Sequence, residues 1–209
     1  MNIAILGTGN VGKALATGWL RAGHEITFGS RQPTGDKAQE LVAEFESKVQ
    51  IQATANAVDG AEVVVLAVPW NAAEAVVKSV GPWADKILVD ATNPIGPGFR
   101  LAVGQNNSGG ELVQTWANNA RVVKAFNTTG YNNMLVPIYN GQSTTMFIAG
   151  NDATAKTTIA QLAEELGFDV ADMGDITQAR YLEPLAMIWI TLAMAQGQGR
   201  NIAFKLMRR

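Results

Sequence analysis

Short apolar runs alternate along this chain with stretches of helical period. Residues 2–6 (Asn-Ile-Ala-Ile-Leu) are apolar without alternation, the pattern of a strand covered on both faces. Apolar positions then recur at helical spacing over 11–22, and Gly23 stands where a helix C-terminus commonly takes glycine. The pattern repeats: strand 24–28, helix 37–47, strand 49–51, a helical turn at 57–60, then the strongest strand signal at 62–68. Pro69-Trp70 stops that run; a helix over 72–80 and a strand over 86–90 follow. Strands alternating with helices at this spacing predict an α/β fold with a doubly wound, mostly parallel sheet.

The second half is less regular. Residues 95–110 are rich in Gly, Pro, Asn and Ser and read as a mobile loop. A helix over 111–118 and a strand over 121–126 come next, and 127–141 read as irregular. Strand 145–149, helix 153–166, strand 169–172 and a long apolar helix from about Ala179 complete the chain. No repeat or charged linker divides it. The expectation is one domain over 1–209, in which 142–209 form a small C-terminal α/β extension of the same body. The last helix is apolar almost all round, which predicts complete burial and, for so small an extension, a homodimer through that helix.

Composition removes whole classes of chemistry. The 209 residues include no cysteine and one histidine, His24, so disulfides, thiolate zinc sites, His-cluster metal sites and Cys-His catalysis are excluded. Acyl-transfer triads would depend on His24, which falls in a helix-to-strand turn and reads as structural. Sixteen Lys and Arg against eighteen Asp and Glu leave no footprint for nucleic acid. With no basic and apolar leader ahead of Asn2, and no apolar run of the roughly 18 residues a membrane span needs, a cytoplasmic protein without membrane association is expected.

Chemistry enters at Gly7-Thr8-Gly9-Asn10-Val11-Gly12, a G-x-G-x-x-G turn that follows a strand and opens a helix, the context of a Rossmann dinucleotide site. The first glycine makes the tight turn, the second lets a diphosphate approach the backbone, and the third lets helix and strand pack closely. The diphosphate then rests on a helix N-terminus. At the end of the second strand, an NAD site usually carries an acid for the ribose hydroxyl. Here Gly29-Ser30-Arg31 stands instead, a hydroxyl and a planar cation suited to a 2′-phosphate, with Lys37 as a further cation nearby. NADP is therefore expected over NAD. The rest of the site should gather at the strand ends Val68-Pro69-Trp70, Thr92-Asn93-Pro94 and Ala125-Phe126-Asn127-Thr128. Trp70 has two readings, a wall beside the ribose or an anchor for its helix. Asn93 and Asn127 carry the donors and acceptors that a ring edge requires. Lys124 is expected on the same strand face as Phe126, with a structural role at least as well founded as a functional one.

With these segments in order, the chain resembles the NADP-dependent coenzyme F420 reductases and the related ferric-reductase domains of STEAP proteins. The resemblance implies NADPH on the glycine turn, with Thr8, Asn10 and Val11 at its phosphates and Ser30-Arg31 at the 2′-phosphate. It also implies a deazaflavin or flavin (F420, FMN or FAD) stacked near Trp70 and residues 125–128, with hydride passing between the rings. Asn127 stands where archaeal F420 reductases have histidine and agrees with the STEAP-like version. Such a transfer asks the protein for alignment rather than acid–base chemistry, so no catalytic side chain and no metal ligand is assigned.

Two other readings compete. One is an NADPH-dependent reductase of a small carbonyl or imine, as in the hydroxyacid dehydrogenases. These use a helical lysine that Gln178-Ala179-Arg180-Tyr181-Leu182-Glu183-Pro184 lacks. The other is an NADPH-binding redox sensor without turnover. Glu164 and Glu165 read as a solvated helix face, Met187, Trp189 and Met194 as core or interface, and Arg208-Arg209 as a solvated tail.

Overall fold

A computed structural model of the chain describes residues 1–104 and 106–209. Its first half builds β1 (Asn2–Leu6), α1 (Asn10–Arg21), β2 (Glu25–Ser30), α2 (Asp36–Glu44), β3 (Val49–Ala53), α3 (Thr54–Asp59), β4 (Val63–Leu66), α4 (Trp70–Ser79) and β5 (Ile87–Asp90). The two-residue strands β6 (Ile95–Gly96) and β7 (Arg100–Leu101) pair as a small antiparallel hairpin. Then come α5 (Gly109–Trp116), β8 (Arg121–Lys124), α6 (Tyr131–Leu135), the antiparallel pair β9 (Ile138–Tyr139) and β10 (Gln142–Ser143), β11 (Thr145–Gly150), α7 (Ala153–Glu165), β12 (Asp169–Asp172) and α8 (Ala179–Ile190). A short 3-10 turn, Ile176–Gln178, leads into α8, and a π turn, Thr191–Ala195, closes it.

Eight strands form one sheet in the order β3-β2-β1-β4-β5-β8-β11-β12. All neighbours are parallel except β8 and β11. Side chains alternate between the faces: Ile3 and Ile5 join α1, α2 and α7 in one core, while Ala4 and Leu6 join α3, α4 and α5 in the other. Every residue of β4 is buried, which explains its unbroken apolar run. The end of α1 shows how local sequence sets a boundary. Gly23 takes φ +88°, its N–H reaches the Leu20 carbonyl, and the His24 N–H reaches that of Trp19.

Two segments expected to lack structure have some. Within 95–110 lie the β6–β7 hairpin and the start of α5, with Gln105 outside the described residues. The irregular stretch 127–141 contains α6 and β9, elements of five and two residues that are too short to show a period. The complete burial expected of the last helix is corrected. Leu182, Glu183, Ala186 and Trp189 are buried, whereas Tyr181, Ile188 and Met194 are 66%, 52% and 51% exposed on the other side. The chain beyond this helix returns across the body: the Ile202 carbonyl accepts from Trp189 Nε1 and Asn133 Nδ2, both at 2.7 Å, and the Phe204 carbonyl accepts from the Thr145 N–H. Among the described residues, no helix is long and apolar enough to cross a membrane.

Candidate functional site

Register places the predicted site residues along one edge. Leu6 pairs with Leu66, Leu66 with Asp90, and Asp90 with Lys124, so the segments beginning at Gly7, Ala67, Ala91 and Ala125 leave the sheet side by side. Ser30 ends β2 on the same edge, next to the Leu6–Gly29 pair. This is the carboxyl edge of the parallel strands, and the chain order reverses there between β1 and β4.

The three glycines of the turn have different surroundings. Gly7 has φ +129°, and a Cβ there would fall 2.2 Å from the Ala67 carbonyl oxygen and 3.2 Å from Val68. A Cβ on Gly12 would fall 2.3 Å from the Gly7 carbonyl and 3.0 Å from Ile5, so helix and strand touch through it. Above Gly9 there is open space, with nothing within 4 Å of an added Cβ. Gly9 caps α1 without a side-chain bond, the first turn has no acid, and Thr8 and Asn10 are exposed while Val11 is half-buried. An uncapped, uncluttered helix start of this kind fits a diphosphate.

At the end of β2, Ser30 Oγ accepts the Gln32 N–H at 3.1 Å, which leaves its own O–H free to donate. Arg31 is exposed and has no ion pair among the described residues. Trp70 opens α4 behind Pro69, and its half-buried ring lies 5.4 Å from that of Trp116 at 33°. A Cβ on Gly109 would come 3.1 Å from the same ring. Trp70 therefore anchors α4 on α5.

Asn93 and Asn127 meet. Asn93 Nδ2 donates to the Asn127 carbonyl at 2.9 Å, and Asn127 Nδ2 donates to Asn93 Oδ1 at 3.1 Å and to the Leu182 carbonyl at 3.2 Å. Asn127 is 3% exposed, and its Oδ1 has no protein donor. Ala125 and Thr128 beside it are buried as well.

Lys124 corrects one expectation. It does not share a face with Phe126, because Phe126 takes φ +63° and leaves the strand's alternation. The Phe126 ring turns into the core of α1, 5.7 Å from Trp19. Lys124 points to the other side, fully buried, with Nζ donating to Asp90 Oδ2, Glu183 Oε1 and the Thr92 carbonyl, each at 2.8 Å. Burial alone would drive its proton off, but the two carboxylates outweigh that and hold its pKa above the usual lysine range. Asp90 and Glu183 were not singled out in the sequence. The available signal was a lone charge inside an apolar run, as with Glu183 within Leu182–Ala195. Away from the edge, His24 bonds Glu165 Oε2 at 2.6 Å and the terminal amine at 3.2 Å, a structural role. Glu165 is thus engaged rather than merely solvated.

Known proteins are similar to this chain in sequence and in fold. The family described as NADP oxidoreductase, coenzyme F420-dependent, matches residues 2–94. An F420-dependent NADP reductase of Methanothermobacter marburgensis is 31% identical over 207 residues, covering 92% of each chain. The chain belongs to the F420-dependent NADP reductase family. Metalloreductase STEAP3 of Rattus norvegicus is 30% identical to it over 88% of its length, although the match spans only 36% of that longer protein. A solved protein of Arthrobacter sp. FB24, provisionally described as an F420-dependent NADP reductase, superposes on this family member with a TM-score of 0.91. The two are 38% identical over the whole of both chains. An imine reductase of Streptomyces aurantiacus, 16% identical with a TM-score of 0.66 over 94% of this chain and 64% of that one, shares the fold alone.

Proposed function

We propose that this protein is an NADP(H)-dependent oxidoreductase that passes hydride between NADP(H) and a deazaflavin, coenzyme F420, with a flavin as the second choice of acceptor. The observation that carries the reading is the open, uncapped start of α1 above Gly9, in a chain related over 92% of its length to an F420-dependent NADP reductase. Thr8, Asn10 and Val11 would hold the diphosphate with main-chain N–H groups at the helix start. Ser30 and Arg31 would take the 2′-phosphate, the hydroxyl as donor and the guanidinium as counter-charge. Val68, Pro69 and Trp70 would border the ring pocket where the chain turns from β4 into α4, and Asn93, Ala125, Asn127 and Thr128 would form its edge.

The hydride chemistry belongs to the two rings. The protein's part is to hold them at roughly 3–3.5 Å and exclude water, a task that requires no acid or base of its own. Asn127 Oδ1, buried and without a protein donor, supplies a fixed acceptor for an N–H on a ring or carboxamide. We read residues 1–209 as one domain with 142–209 as its extension, cytoplasmic, and dimeric through the exposed apolar side of α8.

Steady-state NADPH oxidation with F420, FMN, FAD or ferric chelate offered in turn tests this. Turnover with F420 supports the reading, and turnover with flavin or iron alone moves the acceptor. Tight NADPH binding with no turnover on any of the four would make the protein a sensor and overturn it.

A further inference from the structure

The carboxyl edge of the sheet rests on a buried charge cluster to which the hydride transfer itself gives no work. Lys124, Asp90 and Glu183 are each at most 1% exposed. Every group in the cluster is satisfied. The three bonds from Lys124 Nζ go to Asp90, Glu183 and the Thr92 carbonyl. Asp90 Oδ1 accepts the Thr92 N–H at 2.9 Å and its hydroxyl at 2.7 Å. Glu183 Oε2 accepts the Gly109 N–H and Oε1 the Gly110 N–H, both at 3.0 Å. A carboxylate from α8 thus occupies the N-terminus of α5, the kind of place where an anion is favoured. The glycines make room for it: a Cβ on Gly109 would sit 3.0 Å from Glu183 Oε1, and one on Gly110 would sit 2.9 Å from Ala179.

In this network all three Nζ protons and all four carboxylate oxygens are engaged, which suits it to holding segments in place rather than to proton transfer. Burying such charges is also a poor route to stability, since apolar side chains of similar volume commonly do as well. The network's distinctive property is which segments it joins. Through Asp90 and the Thr92 carbonyl it holds the turn that carries Asn93. Through Lys124 it holds the end of β8, three residues before Asn127. Through Glu183 it fixes the backbone beside Leu182, whose carbonyl receives the Asn127 side chain. Those contacts decide which way the Asn127 amide faces. With Nδ2 committed to Asn93 Oδ1 and the Leu182 carbonyl, Oδ1 is the atom left free.

We infer that Lys124 and Glu183 are positioning residues that lock the Asn93–Asn127 pair, and so hold Asn127 Oδ1 as a fixed acceptor at the ring edge. This rests on the reading of that edge as the ring pocket. The nucleotide's phosphate contacts lie on α1 and at the end of β2, which the network does not touch. Loss of the lock should therefore appear in kcat and not in the KM for NADPH.

The test is a double-mutant cycle on the whole protein with NADPH and F420, comparing wild type, Glu183→Gln, Asn127→Ala and the double variant. The amide introduced by Glu183→Gln would turn an N–H group toward the N–H groups of α5 and so loosen the lock with little change in volume. Each single variant should lose about tenfold in kcat, with the KM for NADPH within about twofold of wild type. The double variant should be no slower than Asn127→Ala, because Glu183 acts through Asn127. Side-chain amide NMR gives a readout apart from turnover: the doubly bonded Asn127 NH2 should exchange slowly in wild type and faster in Glu183→Gln. Glu183→Gln that melts earlier but keeps the wild-type kcat and slow amide exchange would reduce the cluster to a structural role. So would single effects that simply multiply in the double variant. If Asn127→Ala itself keeps full kcat, the ring-edge reading fails and takes the inference with it. Should Glu183→Gln not fold, Gly110→Ala, which presses α5 away from α8, carries the same expectation for kcat, KM and the Asn127 amide.

Discussion

Arg31 is the residue on which the proposed nucleotide choice turns. It stands exposed at the end of β2 beside a serine whose proton is free, where a 2′-phosphate would give both a partner. Arg31→Ala should raise the KM for NADPH by roughly tenfold to a hundredfold, the worth of one charge-assisted contact, and leave that for NADH nearly unchanged. Equal losses in kinetics with the two nucleotides would contradict the assignment. Gly9 and Gly7 separate binding from folding in the same way. An alanine at 9 projects into open space, so Gly9→Ala should keep the wild-type Tm and lose NADPH affinity by titration. Gly7→Ala meets the Ala67 carbonyl at a left-handed φ and should lower the Tm or prevent folding. These positions were legible in the sequence because a turn's demands are local and show in a few adjacent letters. Asn93 and Asn127 were legible as polar residues at strand ends, but their bond to each other depends on the order of the sheet. Lys124 was misplaced for a specific reason: period-two alternation fails where one residue, Phe126, adopts φ +63°.

At the scale of elements, the parallel strands were easiest to see, since double coverage makes them apolar throughout, whereas strands two residues long carry no period. Helix α5 illustrates what lay beyond reach. Its N-terminus is fixed by Ser108 Oγ, which accepts the Glu111 N–H at 3.1 Å, and by a carboxylate on α8 far along the chain. Glu111 in turn meets Arg180 of α8 in a two-pronged pair, with Nε–Oε2 at 2.9 Å and Nη2–Oε1 at 2.5 Å. The hydrogen bond from Arg180, against a smaller cost of burial, holds the Glu111 carboxyl below the usual carboxylate value of 4.5. A pKa lower in the folded than in the unfolded state stabilises the fold above the unfolded value and ceases to do so as pH falls through the folded one. Glu111→Gln should therefore lower the Tm by roughly 2 °C at pH 7, as expected for a partly exposed pair. The gap to wild type should close as the pH drops below 4.5. A gap that persisted unchanged at pH 3 in thermal melts would mean that the carboxylate's charge is irrelevant there.

For the whole molecule, the question is what covers α8. Its inner side holds Glu183 of the charge cluster and Trp189, its outer side presents Tyr181 and Ile188, and the π turn that follows adds Met194. A second copy is the proposed cover. Ile188→Arg should shift the protein from dimer to monomer in light scattering while NADPH affinity stays intact. A wild-type protein that is monomeric at all accessible concentrations would refute the dimer. The return of the chain after α8 has a different kind of consequence, one of leverage. Asn133 is 1% exposed and Trp189 7%, and both donate to the carbonyl of Ile202. One main-chain oxygen thus serves α6 and α8 together, and either donor would be costly to leave buried without it. Any change that shifts residue 202 is felt by both helices at once.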